Sequence, residues 1–221
     1  MAHLLHVDSS PLSQGSVSKA LGAAFRRAWA EEQPGDTVVY RDLGADPVPH
    51  LDEAGVTWQF VPAEYQSPQQ QAAGKLRETL AAELVAADAL LVTAPLYNWT
   101  LPSQLKAWID QVGVAGSVIE YGDGPKPLAD RPATVLLAYG GDFSEGSVDA
   151  QYDALAPYLK TMLGYTLGLD VTVISAQLTL AEAAPWMAHL ADQARQSRAE
   201  AESAAEERAR EVSRLLSKSG D

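Results

Sequence analysis

Ala94-Pro95-Leu96-Tyr97-Asn98-Trp99-Thr100-Leu101-Pro102-Ser103-Gln104-Leu105-Lys106-Ala107-Trp108-Ile109-Asp110 is the stretch on which the reading of this chain turns. The apolar run Ala89 to Thr93 leads into it, with the Leu and Val content of a buried strand. Leu101, Leu105, Trp108, Ile109 and Val112 leave it at helical spacing. Strand and helix are thus joined by a short loop carrying Tyr97, Asn98 and Trp99. In an open α/β sheet, ligands bind where the carboxyl ends of strands feed such loops. This loop suits a flat aromatic ligand. The alternative is an ordinary connection whose aromatic residues pack.

Two more loops follow strands in the same way. His3 to Val7 is a short apolar strand, succeeded by Asp8-Ser9-Ser10-Pro11-Leu12-Ser13-Gln14-Gly15-Ser16-Val17-Ser18 and a helix with apolar Val17, Leu21, Ala24, Phe25 and Ala28. Hydroxyl donors ahead of a helix N-terminus make an anion site, because the first N–H groups lack partners and the helix dipole is positive there. The sequence is neither a P-loop nor a dinucleotide fingerprint. A plain N-cap at Ser16 also explains it. Thr134 to Tyr139 forms another buried strand and ends in Gly140-Gly141-Asp142-Phe143-Ser144-Glu145-Gly146. Paired glycines let backbone approach a ligand closely and offer their N–H groups to acceptors on a ring edge.

The whole chain constrains the class. A length of 221 residues suits one α/β domain, residues 1–221, with a sizeable core. The absence of cysteine excludes disulfides, thiolate metal sites and a cysteine nucleophile. A formal net charge of −13 argues against non-specific nucleic-acid binding. No secretory leader and no membrane-spanning apolar run are expected, which points to a cytoplasmic protein without a membrane partner.

Asp36 to Tyr40 reads as a strand, and residues 44–66 as an excursion without a sustained period. Ser67-Pro68-Gln69-Gln70 signals the start of a helix running to about Ala86. Ser117 to Leu128 is a glycine- and proline-rich loop. A helix is expected from about Ala150 to Leu167, with Pro157 marking a start or kink. Asp170 to Ala176 is the last strand, and an extended final helix is expected from about Ala181. From Gln193 onward that helix reads as solvated and salt-bridged, or frayed. His3 and His6 are three apart on a strand and face opposite ways, so they cannot share a metal. No metal site and no side-chain catalytic set emerges.

Pro95-Leu96-Tyr97-Asn98-Trp99 followed by Leu101-Pro102-Ser103-Gln104-Leu105-Lys106-Ala107-Trp108-Ile109-Asp110 resembles the signature of the FMN-dependent NADH:quinone oxidoreductase and azoreductase family, which is flavodoxin-like. The resemblance implies a three-layer α-β-α fold around a doubly wound five-stranded parallel sheet of order 2-1-3-4-5, with the three loops converging at one edge. It implies an FMN site at Ser9, Ser10, Ser16, Val17 and Ser18 for the phosphate. Pro95, Leu96, Tyr97, Asn98 and Trp99, with Ala138, Tyr139, Gly140 and Gly141, would meet the ring, and Tyr121 would wall a flat substrate. Ala138-Tyr139 departs from the polar pair that relatives carry there, which puts side-chain contacts from these two positions in question. The flavin would carry the chemistry, with no catalytic side chain. NADH or NADPH would donate electrons to a quinone or azo acceptor in one shared pocket, hence by ping-pong kinetics. The resemblance also implies a homodimer, for which Tyr158, Met162 and Tyr165 are candidate contacts. Two other readings are a flavodoxin-like electron carrier without small-molecule turnover and a relative dedicated to a biosynthetic substrate.

Overall fold

The computed structural model describes residues 1–32, 34–120 and 126–219. Strands β1 (His3–Asp8), β2 (Thr37–Asp42), β3 (Ala89–Pro95), β4 (Pro132–Ala138) and β5 (Asp170–Ala176) pair in parallel in the order β2-β1-β3-β4-β5. This is the order that the family resemblance implies. The central β3 is buried at every residue, whereas β2 forms an edge and is largely exposed. That contrast matches their composition, since a parallel strand covered on both faces has no polar side to alternate.

Side chains alternate across the sheet and divide the core in two. On one face, Leu5, Val7, Leu90, Val92, Val135 and Leu137 meet α3 (Pro68–Ala86), α4 (Ser103–Val112) and α5 (Ala156–Leu159) through Leu80, Leu84, Leu105, Trp108 and Leu159. On the other, Leu4, Leu91 and Leu136 meet α1 (Val17–Glu32) and α6 (Ala191–Ser219) through Leu21, Phe25, Trp29, Ala205 and Ala209. The excursion after β2 holds α2 (Glu53–Thr57) and two 3-10 turns, Trp58–Phe60 and Ala63–Tyr65. Helix α3 begins at a complete capping box. Ser67 Oγ accepts the Gln70 N–H at 3.2 Å, and Gln70 Oε1 accepts the Ser67 N–H at 3.0 Å.

Three expectations need correction. The last helix starts at Ala191, not near Ala181, and Pro185–Leu190 is a 3-10 segment. Pro185 holds Ala184 extended (φ −99°, ψ 112°) and lacks an N–H, so no α-helix runs through it. The helix placed from Ala150 breaks at Asp153, which is extended (φ −67°, ψ 107°). It restarts at Ala156 with Pro157 in the first turn and continues as a π-helical segment, Lys160–Thr166. The C-terminal tail is the salt-bridged helix of the two alternatives rather than a frayed end, but one face of it is not solvated. Ala201, Ala205, Ala209 and Val212 are buried in the core face shared with α1. The ion pairs Arg27–Glu206 and Arg214–Glu32 lie along the seam between the two helices.

Small side chains allow α6 to lie close to α1. Ala205→Leu, at a fully buried position, is expected to destabilise the protein by about 1–3 kcal/mol through overpacking. Breaking the exposed Arg27–Glu206 pair should cost less. Urea unfolding of the two variants checks the order.

Candidate active site

The loop after β1 is tied to β3 before it does anything else. The backbone N–H and the hydroxyl of Ser9 both donate to the Thr93 carbonyl, at 3.0 and 2.9 Å. Ser9 and Ser10 are buried, so the Ser9 hydroxyl is a structural strut. The Ser10 N–H donates to Asp8 Oδ1 (3.2 Å), and Ser10 Oγ accepts the Leu12 N–H (3.4 Å). Gly15 turns the chain with φ +71°.

Ser16 then caps α1: its Oγ accepts the Lys19 N–H at 3.3 Å and lies 3.2 Å from Ser18 Oγ. The plain N-cap reading of Ser16 therefore holds. It leaves the N–H groups of Val17 and Ser18 without an acceptor among the described residues. With the helix dipole behind them, these donors suit an anion. Lys19, in the first turn, is engaged elsewhere, 2.7 Å from Asp42 Oδ2.

The loop after β3 is held from both sides. Leu96 donates its N–H to the Ala138 carbonyl at 2.9 Å. Tyr97 and Thr100 exchange both backbone hydrogen bonds, at 3.0 and 3.1 Å. Between them Asn98 (φ 48°) and Trp99 (φ 69°) are both left-handed, as a two-residue type I′ turn requires. Asn tolerates this region well, whereas a bulky Trp there costs of order 1–3 kcal/mol and persists only where its surroundings hold it. They do so here. The Trp99 carbonyl accepts the Ala154 N–H at 3.1 Å. Its ring meets Phe143 and Tyr152 edge-on, at centroid distances of 5.6 and 5.7 Å. Half of Trp99 remains exposed beside the exposed Tyr97 and Asn98.

The loop after β4 adds a third wall. Ala138 and Tyr139 are buried. The Tyr139 hydroxyl donates to Asp153 Oδ2 at 2.8 Å, and its ring stacks on Phe143 at 5.0 Å. Burial, then the Asp153 carboxylate, pushes the Tyr139 phenol well above its usual range, so it stays a neutral donor. This side chain braces Phe143 and does not face solvent. The next two residues, Gly140 and Gly141, use their carbonyls to accept from Leu180 (3.3 Å) and Leu178 (2.9 Å). Their N–H groups have no acceptor among the described residues.

The three loops therefore meet at the carboxyl edge of β1, β3 and β4, joined by Ser9–Thr93, Leu96–Ala138 and Trp99–Phe143. Tyr121, the expected substrate wall, lies outside the described residues. Among the described residues no cluster of acidic and histidine side chains could hold a metal.

Comparison with known proteins agrees with this geometry. Residues 2–209 match the Flavodoxin_2 family model, described as Flavodoxin-like fold. An "FMN-dependent NADH:quinone oxidoreductase" of Frankia casuarinae is 39% identical over 209 residues, covering 95% of this chain and 99% of that protein. One of the same name from Streptomyces avermitilis is 41% identical over 213 residues, covering 96% and 97%. The chain belongs to this flavodoxin-like oxidoreductase family. Among solved structures, an azoreductase from Bacillus anthracis str. Sterne superposes with a TM-score of 0.83 at 23% identity, covering 96% of this chain and all of that one. A Bacillus anthracis FMN-dependent NADH-azoreductase in complex with FMN gives 0.79 at 22% identity, covering 95% and 100%. At that identity the two structures support the fold.

Several residues that shape this edge carry little signal in the sequence. Phe143 and Tyr152 hold Trp99 from more than forty residues away, and Asp153 holds Tyr139 from fourteen. Of these only Asp153, just ahead of Ala156-Pro157, has a local signal, that of a helix start. Its Oδ1 accepts the N–H groups of Leu155 and Ala156 at 2.8 and 3.3 Å. Gly44 is another. A Cβ there would lie 2.2 Å from the Ser10 carbonyl oxygen and 3.0 Å from Pro11 Cα. Backbone cannot swing aside as a side chain can, so this close approach requires glycine. His6, under the same loop, is fully buried, with Nε2 3.2 Å from Thr93 Oγ1 and no partner on Nδ1. Burial, then Arg26, lowers its pKa from 6.5 to about 3.

Two predictions follow from these contacts. Gly44→Ala should displace the serine loop and cost about 1–3 kcal/mol of stability. Weaker anion binding should accompany that loss, measurable by titration with FMN. His6 stays neutral in the folded protein while the unfolded chain protonates it near pH 6.5. Its contribution to stability is thus complete above that pH and is lost progressively as pH falls toward 3. Denaturant unfolding at pH 7.5 and 5.0 should show a smaller loss in His6→Gln than in the wild type.

Proposed function

We propose that the chain, folded as a single domain, is an FMN-dependent oxidoreductase that takes electrons from NADH or NADPH and delivers them in pairs to a quinone or azo compound. One observation supports this most directly. In a member of this family, N–H groups without an acceptor among the described residues lie on both sides of the β3 loop: Val17 and Ser18 on one, Gly140 and Gly141 on the other. The residues present fit the cofactor. Val17 and Ser18 would hold the phosphate by charge-assisted N–H bonds and the α1 dipole, with Ser16 and Ser18 hydroxyls beside them. Gly140 and Gly141, without Cβ atoms, would direct N–H groups at acceptors on the ring edge. Pro95 to Trp99 would line the ring, with the braced Trp99 limiting access by water. Bound there, FMN supplies the two-electron chemistry between a nicotinamide and a quinone or azo acceptor.

The chain's own contribution is binding, orientation and shielding. The departure at Ala138-Tyr139 removes no donor from the ring side in this reading, because the backbone of the following glycines supplies them. Donor and acceptor would use one pocket in turn. Double-reciprocal plots of rate against NADH at several quinone concentrations should therefore be parallel. Intersecting lines would mean that both are bound together and would overturn the shared pocket.

Replacing Ser16 by alanine removes both the cap and a phosphate donor. It should cost about 1 kcal/mol of stability and weaken FMN more than riboflavin, which lacks the phosphate. We further read the active form as a cytoplasmic homodimer. The four-fifths exposed Tyr165 supports the dimer, and Tyr158 and Met162 pack largely into the core. Among the described residues, no helix is long and apolar enough to cross a membrane.

A further inference from the structure

Asp8 lies directly beneath the serine loop and has no part in the reaction outlined above. It ends β1, and only 1% of it is exposed. Both carboxylate oxygens are engaged. Oδ1 accepts the Ser10 N–H at 3.2 Å, and Oδ2 accepts the Tyr40 hydroxyl at 2.9 Å. The same hydroxyl is 3.4 Å from Asp42 Oδ2, and that oxygen is 2.7 Å from Lys19 Nζ. The Tyr40 ring is flanked by the neutral His6 ring at 5.0 Å and by the Arg26 guanidinium at 4.4 Å. A buried carboxylate thus supports the loop, while the nearby ammonium is paired with a different carboxylate. Burial pushes the Asp8 pKa up, against the Ser10 N–H, the Tyr40 hydroxyl, Lys19 and Thr93, which all favour the charged form.

A phosphate ester at the N–H groups of Val17 and Ser18 would bring a second negative charge to the loop that Asp8 supports. Like charges sharing a poorly solvated site favour neutralising one of them. We propose that Asp8 is a positioning residue of the anion loop and takes up one proton when a phosphate ester binds, with Tyr40 turning its hydroxyl from Asp8 to Asp42. This rests on the reading that the loop holds the FMN phosphate. The proton comes from solvent and resides on Asp8 Oδ2, which then donates to the Tyr40 oxygen. Tyr40 donates to Asp42 Oδ2, and Oδ1 keeps the Ser10 N–H, so only hydrogen bonds exchange. By linkage, the affinity for the ester must fall as pH rises, from the pH at which free Asp8 ionises up to the higher pH at which Asp8 ionises in the complex.

The test is a fluorescence titration of apoprotein with FMN and, separately, riboflavin between pH 6.5 and 8.5. It compares wild type, Asp8→Asn and Tyr40→Phe, with folding of each variant checked by circular dichroism. The second ionisation of the ester itself lies near pH 6 and is common to all three proteins. In wild type, FMN affinity should fall by about fivefold or more across the range, while riboflavin affinity stays level. Asp8→Asn should bind FMN with a flat profile and more tightly than wild type at pH 8.5. Tyr40→Phe lacks a donor that favours the charged carboxylate, so its fall should move to higher pH. This shift decides the matter alone if Asp8→Asn does not fold. Equal slopes in wild type and Asp8→Asn, or a parallel fall for riboflavin, overturn the proposal while leaving the flavin site intact. Failure of wild type to bind either flavin at any pH overturns the flavin reading itself, and this proposal with it.

Discussion

The Thr93 carbonyl takes two donors from Ser9, and the geometry of the whole site depends on that junction. It locks the exit of β1 to the exit of β3 at the place where the strand order reverses. From β1 the chain crosses outward to β2, then returns to β3 on the other side of β1. In open α/β sheets such a reversal is where ligands bind. With Ser9 holding the near end of the serine loop, α1 starts at a defined point, with the N–H groups of Val17 and Ser18 in its first turn. The same carboxyl edge carries Leu96 bound to Ala138, which brings Gly140 and Gly141 alongside.

Local electrostatics decide what this edge can hold. A net charge of −13 favours solubility and disfavours anions at long range, yet screening confines that effect to about 8–10 Å in ordinary salt. At the loop, oriented N–H groups and the α1 dipole act at hydrogen-bonding distance, where partial charges outweigh distant ones. Lys19 neutralises Asp42, leaving backbone to meet the incoming charge. Backbone donors are fixed in direction and do not lose rotamer freedom on binding. The buried Asp8 is the counterweight, and it makes affinity sensitive to protons.

The strands, most of the helices and the three loops are legible in the chain because their signals are local, whereas the strand order rests on the family resemblance. Alternation of period 2 fixes the two faces of β1, and the β3 run is apolar throughout because both of its sides are covered. The Ser67–Gln70 box is legible for the same reason. Contacts between distant segments were not. Nothing near Gly44 in sequence announces that Ser10 passes 2.2 Å from where its Cβ would be. Tyr139 reads as a departure from the relatives' polar pair at the end of a strand, and only the fold shows its hydroxyl on Asp153 and its ring against Phe143. The alanines of α6 read as solvated because a stripe of small residues has a weak hydrophobic signal, although α1 covers it. Pro185 interrupts the helix-forming residues around it, so the α-helix begins only at Ala191.

The central claim is that the three loops form one flavin site open to a nicotinamide and then to an acceptor. Its most direct test is the visible absorption spectrum of the purified protein loaded with FMN, recorded without oxygen before and after NADH and again after a quinone. The account predicts flavin bands that bleach on NADH and return with the quinone. A protein that binds no flavin even with added FMN would contradict it.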